Sequence, residues 1–141
     1  MESLSAVLDA VRLRRSRSRV EIAQTTGLSR AVVAQRVSEL IQCGLLSERG
    51  TEPSTGGRPA RRLRFEHASG SILAADLGAT SIDVALTDLA GTILVHRAEP
   101  ADVSAGPEVI LGRVEVLFDE ILAPGGSTPP VWGGGIGGPG P

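Results

Sequence analysis

The hydrophobic periodicity of this 141-residue chain changes from helical to strand-like near residue 68, and the change divides it into a helix-rich segment and a strand-rich one. Before that point, Leu4, Val7, Leu8 and Val11 recur at helical spacing, as do Val33, Val37, Leu40 and Ile41. After it, Ile82, Val84 and Leu86 alternate with more polar neighbours, the pattern of a strand with one buried face. The charge changes sign at the same place. Residues 1–64 hold 12 arginines and 6 acidic side chains, whereas residues 65–141 hold 2 and 10, so a formal net charge of −2 conceals a basic half and an acidic half. A basic half suggests a polyanionic partner. Arginines on a solvated face would give the same count, and charge alone leaves both readings open.

Local signals divide the chain further. Ser3 or Ser5 is placed to cap a first helix that ends in the arginine cluster of residues 12–19. Ser18 with Glu21 forms a capping box for a helix from about Arg19 to Thr25, and Gly27 breaks it. Ser29 caps a third helix, with Gly44 at the expected left-handed stop. Leu45-Leu46 through Phe65 reads as a two-stranded hairpin with a long glycine-rich tip. Residues 66–70 then form a linker, giving expected domains at 1–67 and 68–141. The second domain should hold strands near 72–76, 82–86 and 92–98. A helix opens at Gly106-Pro107 and closes at Pro124-Gly125-Gly126, and a fourth strand is expected at 131–135. The fold class is α+β overall.

Composition excludes several chemistries. All 14 basic residues are arginine, so a P-loop lysine, a Schiff base and a pyridoxal-phosphate anchor are ruled out. Cys43 is the one cysteine and cannot form an internal disulfide, and His67 and His96 lie too far apart for a metal-ligand spacing. Neither histidine nor Cys43 has a neighbouring base or nucleophile in the sequence. With no charged-then-apolar leader and no run of about 18 apolar residues, the chain is expected to be soluble and cytoplasmic, without membrane, metal or cofactor.

The stretch from Val20 to Arg30, continuing into the third helix, sets two helices around a glycine turn, as in a helix-turn-helix. With Val33, Val37 and Leu40 inward, Arg30, Ala31, Ala34, Gln35 and Ser38 face outward or flank that side, and Arg36 is expected with Ser29, Arg30, Ala31, Ala34 and Gln35 among the DNA-binding residues. Gln35 suits adenine, and Arg30 suits guanine or phosphate. Ser29 and the helix N-terminus behind it could hold a phosphate. Arg58, at the hairpin tip, is placed to enter a narrow minor groove. A helix pair that packs on a partner protein would carry the same pattern. The three aromatic residues Phe65, Phe118 and Trp132 are too few for the stacking platforms of single-strand binders.

Two glycine loops remain. Asp76-Leu77-Gly78-Ala79-Thr80 ends a strand, and there Asp76, Gly78 and Thr80 could approach a phosphate or hold Mg²⁺; a plain hairpin turn would look the same. Gly133, Gly135 and Gly138 match the spacing of a dinucleotide fingerprint. Pro139 and Pro141 oppose the helix it requires, so a flexible terminus is the favoured reading of residues 133–141.

Taken together, Thr26-Gly27-Leu28-Ser29-Arg30, Gly56-Gly57-Arg58-Pro59, Asp76-Leu77-Gly78-Ala79-Thr80, Asp88-Leu89-Ala90-Gly91 and Gly137-Gly138-Pro139-Gly140-Pro141 resemble the ROK family of bacterial sugar-responsive repressors and sugar kinases. These motifs run across essentially the whole chain, in the order the repressor branch has them. The resemblance implies a MarR-like winged helix-turn-helix joined to a partial α/β actin-like (ribonuclease H-like) lobe. It further implies double-stranded DNA as partner, a sugar or sugar-phosphate effector in an intact homologue, and a homodimer. Family kinases usually read Gly-Gly-Thr-Lys where this chain reads Gly78-Ala79-Thr80-Ser81. Their catalytic aspartate, zinc-binding segment and adenosine pocket have no counterpart here, so the chain is expected to be a shortened regulator without kinase activity. A fragment of an ATP-dependent sugar kinase is the alternative.

Overall fold

The computed structural model describes residues 2–51, 61–122 and 128–138. The chain forms two compact units, Met1–Glu66 and His67–Pro141.

In the first unit, α1 (Glu2–Arg12), α2 (Arg19–Thr26) and α3 (Arg30–Gln42) precede an antiparallel hairpin of β1 (Leu46–Thr51) and β2 (Arg61–Phe65). Val7, Ala10 and Val11 from α1, Ile22 from α2, Val33, Val37 and Leu40 from α3, and Leu46 and Leu63 from the hairpin form one buried cluster. Each helix therefore buries the stripe that its periodicity marks. The start of α1 differs from expectation: Ser3 and Ser5 lie inside the helix, and the Ser3 hydroxyl accepts a hydrogen bond from Arg36 Nε at 3.0 Å. Ser18 caps α2 through the Glu21 N–H at 3.3 Å. The Glu21 carboxylate reaches one residue further back than a capping box requires and accepts the Arg17 N–H at 2.6 Å.

Gly27 ends α2 at φ +72°, its N–H bonded to the Ala23 carbonyl. The α3 terminus closes with paired bonds, Gly44 N–H to the Ile41 carbonyl at 3.0 Å and Leu45 N–H to the Leu40 carbonyl at 2.9 Å. Gly44 sits at φ +77°, the left-handed position that this closure needs. Between α1 and α2 the chain folds back through Arg14 at φ +56°. There Ser16, buried despite its polarity, bonds through Oγ to Thr25 Oγ1 at 2.9 Å. The Leu63 N–H then donates to the Arg17 carbonyl at 2.8 Å, fastening the hairpin to the α1–α2 turn.

The second unit is a four-stranded sheet of order β5-β4-β3-β6, formed by β3 (Ser71–Leu77), β4 (Ser81–Asp88), β5 (Ile93–Pro100) and β6 (Val131–Gly137). The first three make an antiparallel meander, and β6 returns parallel to β3 after α4 (Pro107–Leu122). Ile82, Val84 and Leu86 of β4 pack with Ile110, Val114, Leu117 and Ile121 of α4, the alternating and helical stripes meeting face to face. The fourth strand expected at 131–135 forms as β6, and it extends through residues 136–137, which the flexible-terminus reading of 133–141 claims, because the free edge of β3 supplies backbone partners from Ser71 to Asp76. The expected helix-closing Pro124-Gly125-Gly126 lies outside the described residues.

Candidate nucleic-acid interface

Two elements and one turn build the candidate interface. The buried residues Val33, Val37 and Leu40 press α3 into the core, so Arg30, Ala31, Ala34, Gln35 and Ser38 share its exposed side. Ser29, also exposed, is the N-cap of α3 in extended conformation, its Oγ accepting the Val32 N–H at 3.3 Å. The helix thus presents at its N-terminus a hydroxyl, an arginine and the first-turn backbone donors that the Ser29 cap leaves over, and small or amide side chains along the following turn. Ala31 and Ala34 leave this side low enough for close approach to a surface.

Two of the sequence-derived candidates are tied to one acid. Gln35 Nε2 donates to Glu39 Oε1 at 3.1 Å, and Arg36 Nη1 donates to both Glu39 oxygens at 2.9 and 2.8 Å. Hydrogen bonding from Arg36 is the main reason that the Glu39 carboxyl lies below the usual carboxylate range. Since Arg36 also bonds Ser3, it links α1 to α3 and is half-buried, whereas Arg30 is exposed and has no side-chain partner among the described residues. Arg58, at the hairpin tip, lies outside the described residues.

The hairpin is held from below by Glu48. Its carboxylate accepts from Arg19 at the start of α2, and from Arg61 Nη1 at 3.3 Å. Burial acts to raise the Glu48 pKa, but the hydrogen bonds from the two arginines outweigh it and the net direction is downward. Gly50, at φ +65°, accompanies a register shift between Arg49 and Thr51, a bulge next to the tip. Leu46, Glu48 and Leu63 point towards the helices. By alternation Ser47, Arg49, Arg62 and Arg64 occupy the other face. The exposed Arg14, Arg15 and Arg17 crowd the α1–α2 turn. The sequence reading missed the shared face of the hairpin arginines, although the one-in-two spacing of Arg62 and Arg64 carried the signal.

In the second unit, Asp76 is the penultimate residue of β3 and is exposed, and Thr80 is exposed in the turn to β4. The Gly78 N–H donates to the Ser81 carbonyl at 2.9 Å, so the turn uses internally the donor that a phosphate would need. A side chain at Gly78 would meet Ser81 Oγ at 3.1 Å, a tight fit that favours glycine for the turn itself. The parallel pairing of β3 with β6 sets Gly137 opposite Asp76, a juxtaposition hidden in the sequence by the 60 residues between them. Gly133 and Gly135 lie inside β6, not in the strand-to-helix turn where a dinucleotide fingerprint places its glycines. Asp88 holds the β4–β5 turn together. Its Oδ1 accepts the Ala90 and Thr92 N–H groups at 2.9 and 2.8 Å, and its Oδ2 lies 2.7 Å from His67 Nδ1. Among the described residues no cluster of three potential metal ligands occurs, and no helix is long and apolar enough to cross a membrane.

A helix-turn-helix with a hairpin behind it, followed by a sheet-and-helix unit, is the fold of a ROK family transcriptional regulator. A solved structure of such a regulator, described as a homologue of the Escherichia coli MLC protein, superposes with a TM-score of 0.73 over 98% of this chain and 36% of its own, at 24% identity. In sequence, the chain is 34% identical over 104 residues to the xylose repressor of Bacillus spizizenii, covering 74% of this chain and 26% of that protein. It is 31% identical to a putative xylose repressor of Caldicellulosiruptor, covering 97% of this chain and 34% of the relative. A transcriptional regulator of Mycobacterium bovis is 37% identical over 92 residues, 64% of this chain and 21% of its own length. No family model matches the chain. In sequence the chain is similar to these repressors, and in fold it matches the start of the ROK regulator, spanning about a third or less of their length.

Proposed function

We propose that this chain carries the operator-binding part of a ROK-type transcriptional repressor of sugar-utilisation genes. Residues 1–67 would act as the winged helix-turn-helix, and residues 68–141 would belong to a sugar-sensing domain. In this reading α3 enters the major groove. Ser29 and the helix N-terminus hold a phosphate, Arg30 and Gln35 reach base edges, and Ala31 and Ala34 allow close approach. Arg36 positions Gln35 through their shared partner Glu39, and Arg58 enters the flanking minor groove. The observation that carries the proposal is the division of α3 into a fully buried stripe and an exposed stripe that begins at a capped N-terminus.

The names of the relatives support a sugar effector, with xylose the first to try. A cytoplasmic homodimer reading a two-fold site agrees with the repressor reading. Asp76, Gly78 and Thr80 are proposed as a remnant of a phosphate loop, since the Gly78 N–H is already committed within its turn. For the same reason the sugar-kinase alternative is not favoured.

The test is selection of bound sites from a random duplex pool, followed by gel-shift titration over a salt series. Arg30→Ala or Gln35→Ala should cost about 1–3 kcal/mol of discrimination at one base pair each, the worth of a good bidentate contact. A flat salt response in the unaltered chain would reject the proposal, because arginine–phosphate contacts release counterions in proportion to their number.

A further inference from the structure

Three side chains link α1 to the exposed side of α3, and the row they form ends on Gln35. The Ser3 hydroxyl accepts from Arg36 Nε at 3.0 Å, and Arg36 Nη1 donates to both oxygens of Glu39 at 2.9 and 2.8 Å. Glu39 Oε1 in turn accepts from Gln35 Nε2 at 3.1 Å. Ser3, Arg36 and Glu39 are half-buried, whereas Gln35 at the end of the row is exposed. Hydrogen bonding from Arg36 lowers the Glu39 pKa and keeps its carboxylate ionised at neutral pH. An ionised carboxylate only accepts, so the Gln35 atom that faces it has to be the amide nitrogen. A free glutamine amide turns over and exchanges its donor and acceptor ends; Gln35, held in this way, offers its carbonyl oxygen and one remaining N–H in a fixed order.

From this geometry we propose that Ser3, Arg36 and Glu39 form a positioning relay that fixes the amide order of Gln35 and so sets which base edge α3 accepts. The proposal rests on the DNA-binding reading above and deepens it. An acceptor and a donor in fixed order match the N6 amino group and N7 of adenine. Guanine presents acceptors, O6 and N7, at both places, and its O6 meets the Gln35 carbonyl oxygen without a proton between them. An amide free to turn over would give O6 a donor, and the rejection of guanine would weaken. Ser3 lies on α1, outside the exposed stripe of α3, so its part is to orient Gln35 through Arg36 and Glu39.

The test has two arms, both on the full chain. In the free protein, nuclear magnetic resonance of the Gln35 side-chain amide should show one proton shifted downfield and protected from exchange, and Glu39→Ala should remove both signs. In the second arm, Gln35→Ala identifies the base pair that Gln35 reads, among sites selected from a random duplex pool. At that pair, Glu39→Ala should lower the preference for adenine over guanine by about 2- to 10-fold, the cost of ordering one freed side chain on binding. Ser3→Ala should act in the same direction and more weakly. In the Gln35→Ala background, Glu39→Ala should leave the preference at that pair unchanged. If Glu39→Ala does not fold, Glu39→Gln should show the same loss, because its own amide accepts Gln35 in either orientation. An unchanged preference in a folded Glu39 variant of a chain that still selects sites overturns the relay and leaves the DNA-binding reading intact. An effect of Glu39→Ala that persists in full without Gln35 does the same. Failure of the unaltered chain to select any duplex overturns both.

Discussion

Val37 is the residue on which the exposed stripe of α3 most depends, because it is fully buried at the centre of the inward side. Val37→Ala removes two methyl-sized groups. Their transfer from water is worth about 0.8 kcal/mol each. A residual cavity of about 50 Å³ would cost roughly 1.2 kcal/mol more if the neighbours stayed in place. Partial collapse of Val33 and Leu40 onto the gap lowers the sum, so a loss of about 2–3 kcal/mol is expected. For a unit of 66 residues, total stability is on the order of 3–10 kcal/mol, and the substitution removes a large share of it. At about 4–8 °C per kcal/mol for a unit of this size, the midpoint should fall by roughly 10–20 °C. Circular dichroism at 222 nm is the suitable assay, because α1, α2 and α3 together contain twice as many helical residues as α4. Val109→Ala, at an exposed position of α4, serves as the control and should change stability by less than about 0.5 kcal/mol. Duplex affinity of Val37→Ala should match the unaltered chain in the cold and fail on warming as the unit melts. A midpoint within about 2 °C of the unaltered chain would refute the claim that this core positions α3.

Two further outcomes follow from the acids. Glu39→Gln removes a negative charge beside Gln35 and releases both Gln35 and Arg36; duplex affinity should increase at low salt, with the gain shrinking as salt rises, as anisotropy titration would show. Glu48 has a folded-state pKa below its ordinary value of 4.5, so its contribution to stability is complete above that pH and is lost as the pH falls through the depressed value. Hydrogen exchange of the β1 and β2 amides should therefore accelerate below about pH 4.5, and Glu48→Gln should weaken hairpin protection at neutral pH and flatten that acid response. An acid response that is the same in both chains would contradict the assignment.

Much of the fold is legible in the sequence because its signals are local. Ser18, Gly27, Ser29 and Gly44 each mark a helix end through a backbone requirement that neighbouring residues cannot change, and all four stand where those requirements place them. The discrepancy at α1 has the same origin. Ser3 and Ser5 look like caps in sequence, but Ser3 finds its partner in Arg36, 33 residues away, which no local rule can register. Residues 133–137 are open to two sequence readings, a strand to 135 and a flexible terminus from 133, for a related reason: four glycines in five positions have no strand propensity, and they extend because β3 offers an open row of backbone donors and acceptors. In the candidate interface, α3 can be read from its 3.6-residue period. The outer hairpin face requires the β1–β2 register, since a shift of one residue would exchange it with the inner face.

The sequence alone determined where helices start and stop, which stripe of each turns inward, and the separation of a basic half from an acidic one, because these depend on periodicity, turn chemistry and composition. Tertiary structure decided what the charges do. It set Glu48 beneath Arg19 and Arg61, bonded Arg36 to Ser3, placed Arg49 across from Arg62, and brought Gly137 beside Asp76. Several of these pairs lie far apart in sequence. An ion pair or a strand register is set by distances in space, and those exist only once the core has closed.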